Sequence, residues 1–467
     1  MNKTLDNQEL LKIINELENT LDISALNLKD LNIWPLIRIS ICFGLIAIRY
    51  DTKTFVKAKR SKNIFSIFKD FWYFKEFISK EPKIRTIHAT HDLYLFKINN
   101  KIYDRVHFGY EQNDDENYSA IKRINLSDLS LRSIKNDLSI IHFPSIFLLL
   151  KIISIPYSII IFFRNLKTFK NLFNVYRFFN NRGINTTSIF FKIPFKLSYI
   201  LLLSKFMKYF FEKCETKLLR HANYYSLESM ALTLAARRCN VTVENIQHGS
   251  QSNDHPAFGG WNKVPSDGYD LLPSVFSCWD EESVKVLNRS FNSIKKHRTR
   301  LSKYFWVDAW KNNEISYNFN EIKANSNQKY NILLTLQPSI NGIQDFVSEC
   351  IEKSSKDVCW WIRLHPRQLT KQSISNIKES LPKTSSKISI ETASFSPLPA
   401  LLAVSDLHIT AFSSSIYEAS YFNIPTIVTH KMGFDYYGQN FKTLNAIYCE
   451  DSNSILENIK NGVDRKF

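Results

Sequence analysis

The stretch YNILLTL, residues 330–336, is the first of six short apolar runs that recur through the C-terminal part of the chain. Amphipathic segments with helical spacing separate the runs. Because strands that alternate with helices in this way form parallel sheets covered on both faces, the pattern predicts a doubly wound α/β domain. The runs are YNILLTL (330–336), VCWWIRL (358–364), ISI (388–390), DLHIT (406–410), PTIVT (425–429) and AIYC (446–449). The helical segments are 342–354, 371–382, 397–403, 414–422 and 452–461.

The N-terminal half has a less regular pattern, which predicts a second Rossmann-like domain with insertions. The polar stretch 290–328 has the composition of a linker. The predicted fold class is therefore α/β, with two Rossmann-like domains facing a cleft and extra N-terminal helices. The predicted helices are 5–49 and 64–80, and the predicted strands are 84–90, 138–143, 188–191 and 241–246. The predicted domains are 1–82 (helical), 83–310 and 329–467.

The composition is that of a folded globular chain. Hydrophobic residues make up 44% and charged residues 22% of the 467 residues, which argues against long disorder and against a multi-span membrane protein. Seven cysteines lie far apart without zinc spacing, so we expect a reducing compartment and no structural metal. Residues 1–24 carry no apolar core of a secretory signal, so we expect a cytoplasmic protein.

The net charge of +17 is concentrated in residues 151–220, which hold thirteen Lys or Arg and two Glu. Aromatic residues are interleaved with charge at helical spacing between 65 and 77, which favours attraction to an anionic membrane surface that salt would weaken. A solvated basic surface is the alternative. Nucleic-acid binding is not favoured, because no zinc finger, RNP-like strand or KH loop accompanies the charge.

Two apolar stretches raise the question of membrane insertion. Residues 34–48 are interrupted by Arg38, and residues 145–163 by Lys151 and Pro156. Because a spanning helix needs about 20 nearly uncharged residues, we expect buried or interfacial helices, with a span at 145–163 left open.

Polar residues follow three of the C-terminal runs, at the strand ends where open α/β sheets bind ligands. A serine run there could cap a helix and leave its first N–H groups for a phosphate, and a neighbouring histidine and arginine would add donors. The predicted nucleotide-binding residues are Gln337, followed by Pro338 and Ser339; His365, Pro366 and Arg367; and Ser413, Ser414 and Ser415, with Glu418 for ribose hydroxyls. An ordinary N-cap and a strand-ending turn are the alternatives for each motif taken alone.

A second motif, QHGSQSNDHP (247–256), directly follows the run 241–246. A histidine at a strand end can project its imidazole into a cleft and accept a proton from a hydroxyl, so His248 is the first candidate for a general base. A structural histidine bound to a backbone carbonyl is the alternative. Asp267 and Asp254 are the other candidate bases.

The motifs Arg363–Pro366, Ser413–Ala419 and Asn423–Thr426 resemble bacterial GT-B glycosyltransferases of surface-polysaccharide synthesis, above all the CMP-sugar-dependent sialyltransferases and Kdo transferases. The resemblance implies that His365, Pro366 and the three serines hold a CMP moiety. Gln247-His248-Gly249 is similar to the His-Gly element of teichoic-acid CDP-glycerol polymerases, in which the histidine serves as base. The sialyltransferase acidic-acidic-Gly element is matched in part by Ser266-Asp267-Gly268.

The resemblance implies an inverting glycosyl transfer from a nucleotide sugar to a growing surface polysaccharide or lipid-linked glycan at the inner face of the cell membrane. Sialic acid, Kdo and related acid sugars are the candidate donors. No Asp-x-Asp motif is present, so we expect no catalytic metal, and the donor is a substrate, so no cofactor is expected. A CDP-glycerol or polyol-phosphate transferase and a non-catalytic polysaccharide assembly protein are the alternatives.

Overall fold

Two fully parallel β-sheets organise the chain, one in each of two structural units. The first unit holds the described residues up to Leu95 and from Ile102 to Lys303, and the second holds those of 96–101 and from Tyr304 onward. The computed structural model describes residues 7–49, 65–80, 83–99, 101–110, 121–125, 140–141, 144–292, 294–337, 340 and 342–464.

The described helices and strands are numbered in chain order. The helices are α1 Asn7–Thr20, α2 Trp34–Arg49, α3 Phe65–Ser79, α4 Pro144–Arg164, α5 Leu166–Asn180, α6 Thr187–Phe190, α7 Ile193–Lys213, α8 Leu227–Arg238, α9 Glu281–Phe291, α10 Phe305–Lys311, α11 Asn320–Asn325, α12 Asp345–Lys353, α13 Lys371–Glu379, α14 Glu391–Phe395, α15 Leu398–Leu402, α16 Ser415–Tyr421, α17 Lys431–Tyr437 and α18 Ser452–Asp464. The strands are β1 Asn27–Leu28, β2 Leu31–Asn32, β3 Thr86–Thr90, β4 Leu95–Ile98, β5 Lys101–Asp104, β6 Ile121–Asn125, β7 Ile140–Ile141, β8 Leu218–His221, β9 Thr242–Ile246, β10 Val275–Cys278, β11 Arg298–Leu301, β12 Tyr330–Thr335, β13 Val358–Arg363, β14 Lys387–Ser389, β15 Leu407–Thr410, β16 Thr426–Val428 and β17 Ala446–Tyr448.

The sheet of the second unit has the strand order β14-β13-β12-β15-β16-β17, and all of its pairs are parallel. Counted from β12, this is the order 3-2-1-4-5-6 of the doubly wound nucleotide-binding fold. Every residue of β13 is buried, as expected for a strand with helices on both faces. The predicted doubly wound domain is confirmed.

The sheet of the first unit has the order β11-β10-β9-β8-β3-β6-β7, again with parallel pairs. Numbered from β3 in chain order, the strands lie in the order 3-2-1-4-5-6-7 from β7 to β11. This is the order of the second unit's sheet with a seventh strand, β11, added at one edge. The prediction of two Rossmann-like domains is therefore confirmed by the two sheets themselves.

Three local predictions were wrong. The predicted helix 5–49 is instead two helices, α1 and α2, separated by the short strands β1 and β2. Residues 188–190 of the run 188–191, predicted as a strand, belong to the short helix α6, because one serine and three apolar residues carry too little periodicity to separate helix from strand. The stretch 290–328, predicted as a linker, contains strand β11 and helices α10 and α11. Strand β11 is polar because it lies at the edge of its sheet, where Arg298 and Leu301 are exposed. Of the predicted strand 138–143, the structure describes only residues 140–141.

Arg38, which interrupts the apolar run 34–48, is buried in the first unit and holds a loop through hydrogen bonds, an arrangement called here the Arg38 clamp. Arg38 donates to the carbonyl oxygens of Pro256, Gly259 and Gly260 at 2.6–2.8 Å, and its guanidinium lies 4.1 Å from the ring centroid of Trp261. Glu18 of α1 lies 3.6 Å from its Nε. Helices α1 and α2 are therefore part of the first unit and hold the 256–260 loop.

A charged row crosses the sheet of the first unit. Arg220 on β8 donates to Glu244 on β9 at 2.9 Å, and Arg300 and Ser277 bind the other carboxylate oxygen. Burial alone raises the pKa of Glu244, but the charges of the two arginines and these hydrogen bonds outweigh it, so the pKa is lowered. The carboxylate is the counter-charge of the buried Arg220, and it also binds the half-exposed Arg300 of the edge strand β11.

We expect Glu244→Gln to reduce the free energy of unfolding by about 3–5 kcal/mol, because it leaves the buried Arg220 without its counter-charge. Urea unfolding measures the loss. The matched control is Glu282→Gln, which breaks an exposed pair with Lys285 and should change stability by no more than about 0.5 kcal/mol. Equal effects of the two variants would contradict the role given to Glu244.

Candidate active site

The carboxyl edge of the first sheet has its switch point between β3 and β8, where the chain order reverses. Tyr94 ends the 3-10 turn that follows β3, Tyr225 comes shortly after β8, and His248 comes after β9. Because β3, β8 and β9 are adjacent and parallel, the three side chains meet at one edge of the sheet.

His248 lies between two tyrosines. Its Nε2 is 3.5 Å from Tyr225 Oη, the outer limit of a hydrogen bond, and its ring is 5.8 Å from the ring of Tyr94, edge to face. The histidine is half-buried. An imidazole held beside a phenol at a switch point can accept a proton from a bound hydroxyl.

The ring cluster continues on the far side of Tyr225. Phe43 of α2 stacks on the Tyr225 ring at 5.2 Å, and His255 lies 5.9 Å from it. Burial lowers the pKa of His255 to about 4, so this histidine is neutral near pH 7. Asp254, a candidate base, instead accepts a hydrogen bond from Gln8 of α1 at 3.2 Å.

The loop that carries His248 is fixed by the residue before it. The buried Gln247 accepts a hydrogen bond from the N–H of Trp279 at 2.7 Å. Its amide nitrogen donates to the carbonyl of Gly249, to Asp280 and to Ser283, at 3.1–3.2 Å. Gln247 thus connects the residues before and after His248 to the start of α9 through hydrogen bonds.

Asp267, the other predicted base, lies at the opposite edge of the sheet. Gly268 packs against His297, and the N–H of Tyr269 donates to His297 Nε2 at 2.9 Å. His297 directly precedes β11, at the amino edge. Since a strand of four or five residues is about 13–17 Å long, Asp267 and His248 do not belong to one site, and we do not carry Asp267 forward as the base.

The second sheet has its switch point between β12 and β15. Gln337 follows β12, His365 and Pro366 follow the neighbouring β13, and the serine run follows β15. These predicted residues therefore come to adjacent strand ends of one carboxyl edge, and each of Gln337, His365 and Pro366 is half-buried. Arg363, which precedes them, is structural: it donates to the carbonyls of Ala393 and Ser396.

The serine run differs from the prediction in two respects. The Oγ of Ser415 is buried and lies 3.2 Å from Thr335 Oγ1 and 3.1 Å from His408 Nε2, so it belongs to the core. The N–H of Ser415 donates to Ser413 Oγ, and the next two N–H groups donate to the carbonyls of Ser413 and Ser414. The seven-residue helix is thus capped by its own loop, and only Ser413 and Ser414 are half-exposed to a ligand.

The remaining predicted residues are less accessible or are not described. Glu418 is 5% exposed within α16, so a contact with ribose would require movement of its surroundings. Pro338 and Ser339 lie outside the described residues. For Arg367 the backbone lies in the 3-10 turn Pro366–Gln368 that follows β13.

Sequence reasoning missed Tyr94, Tyr225 and His430. His430 follows β16 at the same edge as Ser413, and its ring lies 5.7 Å from that of Phe412. The rule that found His365 would have found His430, because it too directly follows an apolar run. Tyr225 follows a strand that contains an arginine, so its position was not recognised.

Among the described residues, no group of three or more His, Cys, Asp or Glu is arranged to hold a metal ion. All seven cysteines are free.

No protein-family model matches the chain, and no curated protein matches it. Solved structures with a similar chain trace include a putative UDP-N-acetylglucosamine 2-epimerase from Listeria monocytogenes (10% identity, 82% of this chain and 89% of that chain, TM-score 0.46). They also include the UDP-GlcNAc 2-epimerase of Methanocaldococcus jannaschii, with 14% identity over 81% of this chain and 91% of that chain and a TM-score of 0.45. A glycosyltransferase from Rickettsia africae has 12% identity over 82% of this chain and 88% of that chain, and a TM-score of 0.41. The fold assignment rests on the two sheets described above.

Proposed function

We propose that this chain is a glycosyltransferase that uses a nucleotide-sugar donor. In this proposal the second unit binds the nucleotide at the carboxyl edge of its sheet, and the first unit supplies the general base. The observation that carries the proposal is the position of His248, half-buried between Tyr94 and Tyr225 at a switch-point edge.

The proposed reaction is an inverting displacement. His248 takes the proton of an acceptor hydroxyl, the hydroxyl oxygen forms a bond to the anomeric carbon, and the bond between that carbon and the phosphate oxygen breaks. The nucleotide leaves with the electron pair. His365 and the hydroxyls of Ser413 and Ser414 are the proposed donors to its phosphate, in place of the helix N-terminus.

The finer assignment is a CMP-linked acid sugar, such as sialic acid or Kdo, and a surface polysaccharide or lipid-linked glycan as acceptor. It is supported by the Arg363–Pro366 and Ser413–Ala419 motifs and by the partly exposed side chains of His365, Ser413 and Ser414. The proposed place of action is the cytoplasmic face of the cell membrane, and neither a cofactor nor a metal takes part in the proposed step.

Thermal-shift measurements with CMP, CDP, UDP and GDP test the donor class. A nucleotide at about 100 times its Kd should stabilise the protein by about 2.7 kcal/mol. Stabilisation by CMP above the others supports the CMP-sugar assignment, whereas stabilisation by UDP alone overturns it. Conversion of a nucleotide sugar to its epimer without acceptor would overturn glycosyl transfer, and no response to any nucleotide would overturn the whole proposal.

We expect His365→Ala to weaken binding of the preferred nucleotide by about 1–3 kcal/mol, the range for losing a hydrogen bond to a charged group. Isothermal titration calorimetry on the full chain measures the change. The control is Gln372→Ala, an exposed position on α13 of the same unit, which should leave the affinity unchanged. Unchanged affinity of the His365 variant would remove His365 from the site.

A further inference from the structure

Helix α4 is apolar and largely uncovered by the protein. Its segment Ser145–Arg164 is long and apolar enough to cross a membrane, with a mean hydropathy of 2.4, yet only 22% of its most apolar window is buried. The core helix of a soluble protein would be mostly buried. Most of its apolar surface is therefore left uncovered by the described residues.

The exposed apolar residues of α4 form a stripe. Ile152, Ile155, Ile159 and Phe163 follow one another at intervals of three or four residues, and each is more than half exposed. Such spacing places them on one face of the helix.

Helix α3 extends this surface. Phe74 on its inner side packs on α7 through Phe206 and Phe210, and α4 packs on α7 as well. On the outer side of α3, Phe68 and Trp72 are each 70% exposed. The two helices lie side by side on α7, so their outer sides form one surface, here called the α3–α4 face.

The two helices are also joined directly. Asp70 of α3 accepts a hydrogen bond from the N–H of Ser145, in the first turn of α4, at 2.9 Å. A carboxylate at a helix N-terminus interacts favourably with the helix dipole. The α3–α4 face is therefore a fixed part of the first unit.

The lysine within α4 does not disturb the α3–α4 face. Lys151 turns inward, where its Nζ lies 2.7 Å from Glu228 of α8 and 5.1 Å from the Tyr199 ring of α7. This inward attachment also means that α4 cannot leave the protein body to span a bilayer without breaking the ion pair and its packing on α7.

Exposed basic residues lie on α3, at the end of α4 and on the adjoining helix α5. Near the α3–α4 face in sequence, exposed basic residues outnumber exposed acidic residues such as Glu76. The basic residues are Lys69, Lys75, Arg164, Lys167 and Lys170. A second copy of the chain would bring the same charges against them, whereas an anionic lipid surface is complementary to them.

We propose that the α3–α4 face inserts into one leaflet of an anionic lipid bilayer and holds the protein there as a monotopic membrane protein. The apolar side chains enter the region between headgroups and acyl chains, and the surrounding Lys and Arg contact lipid phosphates. Insertion goes beyond attraction by charge alone, because part of the binding must then survive high salt.

Trp72 offers a direct readout of insertion. The other seven tryptophans of the chain are each at most 8% exposed, so acrylamide quenching in solution reports mainly Trp72. Mixed phosphatidylcholine–phosphatidylglycerol vesicles should protect Trp72 from acrylamide, and brominated phosphatidylcholine in the same vesicles should quench it. Trp72→Phe should remove both signals and still bind the vesicles.

Sedimentation with vesicles tests the residues of the α3–α4 face. The double variant Trp72→Ser and Phe163→Ser should weaken partitioning by about tenfold or more, since two large apolar side chains are lost from the buried surface. The matched control is Phe395→Ser, which removes an apolar side chain of similar exposure in the second unit and should leave partitioning unchanged. Circular dichroism verifies that each variant folds.

Three results would overturn the proposal. Complete release from vesicles between about 0.1 M and 1 M NaCl, without quenching by brominated lipid, would show adsorption by charge alone. Absence of vesicle binding together with a dimer that depends on Trp72 would assign the face to a second copy. Labelling of α4 residues from both sides of sealed vesicles would show a spanning helix.

Discussion

The variant His248→Asn should lose turnover by about 10²–10⁴-fold, the usual contribution of a positioned general base, while it binds nucleotide as well as the wild type does. Asparagine can keep a hydrogen bond to Tyr225 but cannot accept a proton near neutral pH. Release of nucleotide from the donor sugar that matches the preferred nucleotide measures turnover. The wild-type rate should also fall as pH decreases through the range in which an imidazole titrates.

Two variants serve as controls for this assignment. Asp267→Asn should be close to the wild type in turnover, because Asp267 lies at the amino edge of the sheet, next to His297. Tyr225→Phe keeps the ring that stacks on Phe43, so its loss should be much smaller than that of His248→Asn. Loss of turnover in Asp267→Asn with a fully active His248→Asn would show that the base is the aspartate.

Lowering the pH from 7 to 5 should remove about 7 kcal/mol from the total free energy of unfolding, because burial keeps four histidines neutral in the folded protein. Burial lowers the pKa of His221 and His408 to about 3, and of His255 and His297 to about 4. The unfolded chain binds these protons near pH 6.5 and the folded chain does not, so stability falls as the pH decreases below about 6.5. Urea unfolding at several pH values measures the loss.

A single substitution isolates one histidine from this effect. His297 lies 2.6 Å from the carbonyl of Pro273 through Nδ1, and it accepts from Tyr269 through Nε2. Glutamine keeps an amide donor and acceptor but does not titrate, so His297→Gln should make the pH dependence shallower by about 1.4 kcal/mol per pH unit. A slope equal to that of the wild type would contradict the assignment of a buried neutral imidazole.

The second unit was predictable from the sequence because its central strands β12, β13, β15 and β16 are mostly buried and appear as predominantly apolar runs. The rule that ligands bind at carboxyl strand ends then identified Gln337, His365 and the serine run. The rule could not show that Ser415 turns into the core, because its partners Thr335 and His408 come from other strands.

The first unit was harder to predict because charged residues lie inside its strands. Arg220 and Glu244 interrupt the apolar pattern of β8 and β9, and only their pairing across neighbouring strands makes their burial possible. Tyr225 was missed for this reason, since it follows β8. The site could also not be recognised from the sequence because Tyr94 and His248 are far apart along the chain and come together only in the folded unit.

The clamp formed by Arg38 has a consequence for the order of events during synthesis. Its carbonyl partner in Pro256 is 218 positions further along the chain, so α2 leaves the ribosome long before the loop that accepts its hydrogen bonds exists. Until then Arg38 has Glu18 and water as partners, and α2 lacks the loop on which it packs. Completion of the first unit must therefore wait for translation beyond the 256–260 loop, and a nascent chain halted earlier would keep its N-terminal helices accessible to chaperones.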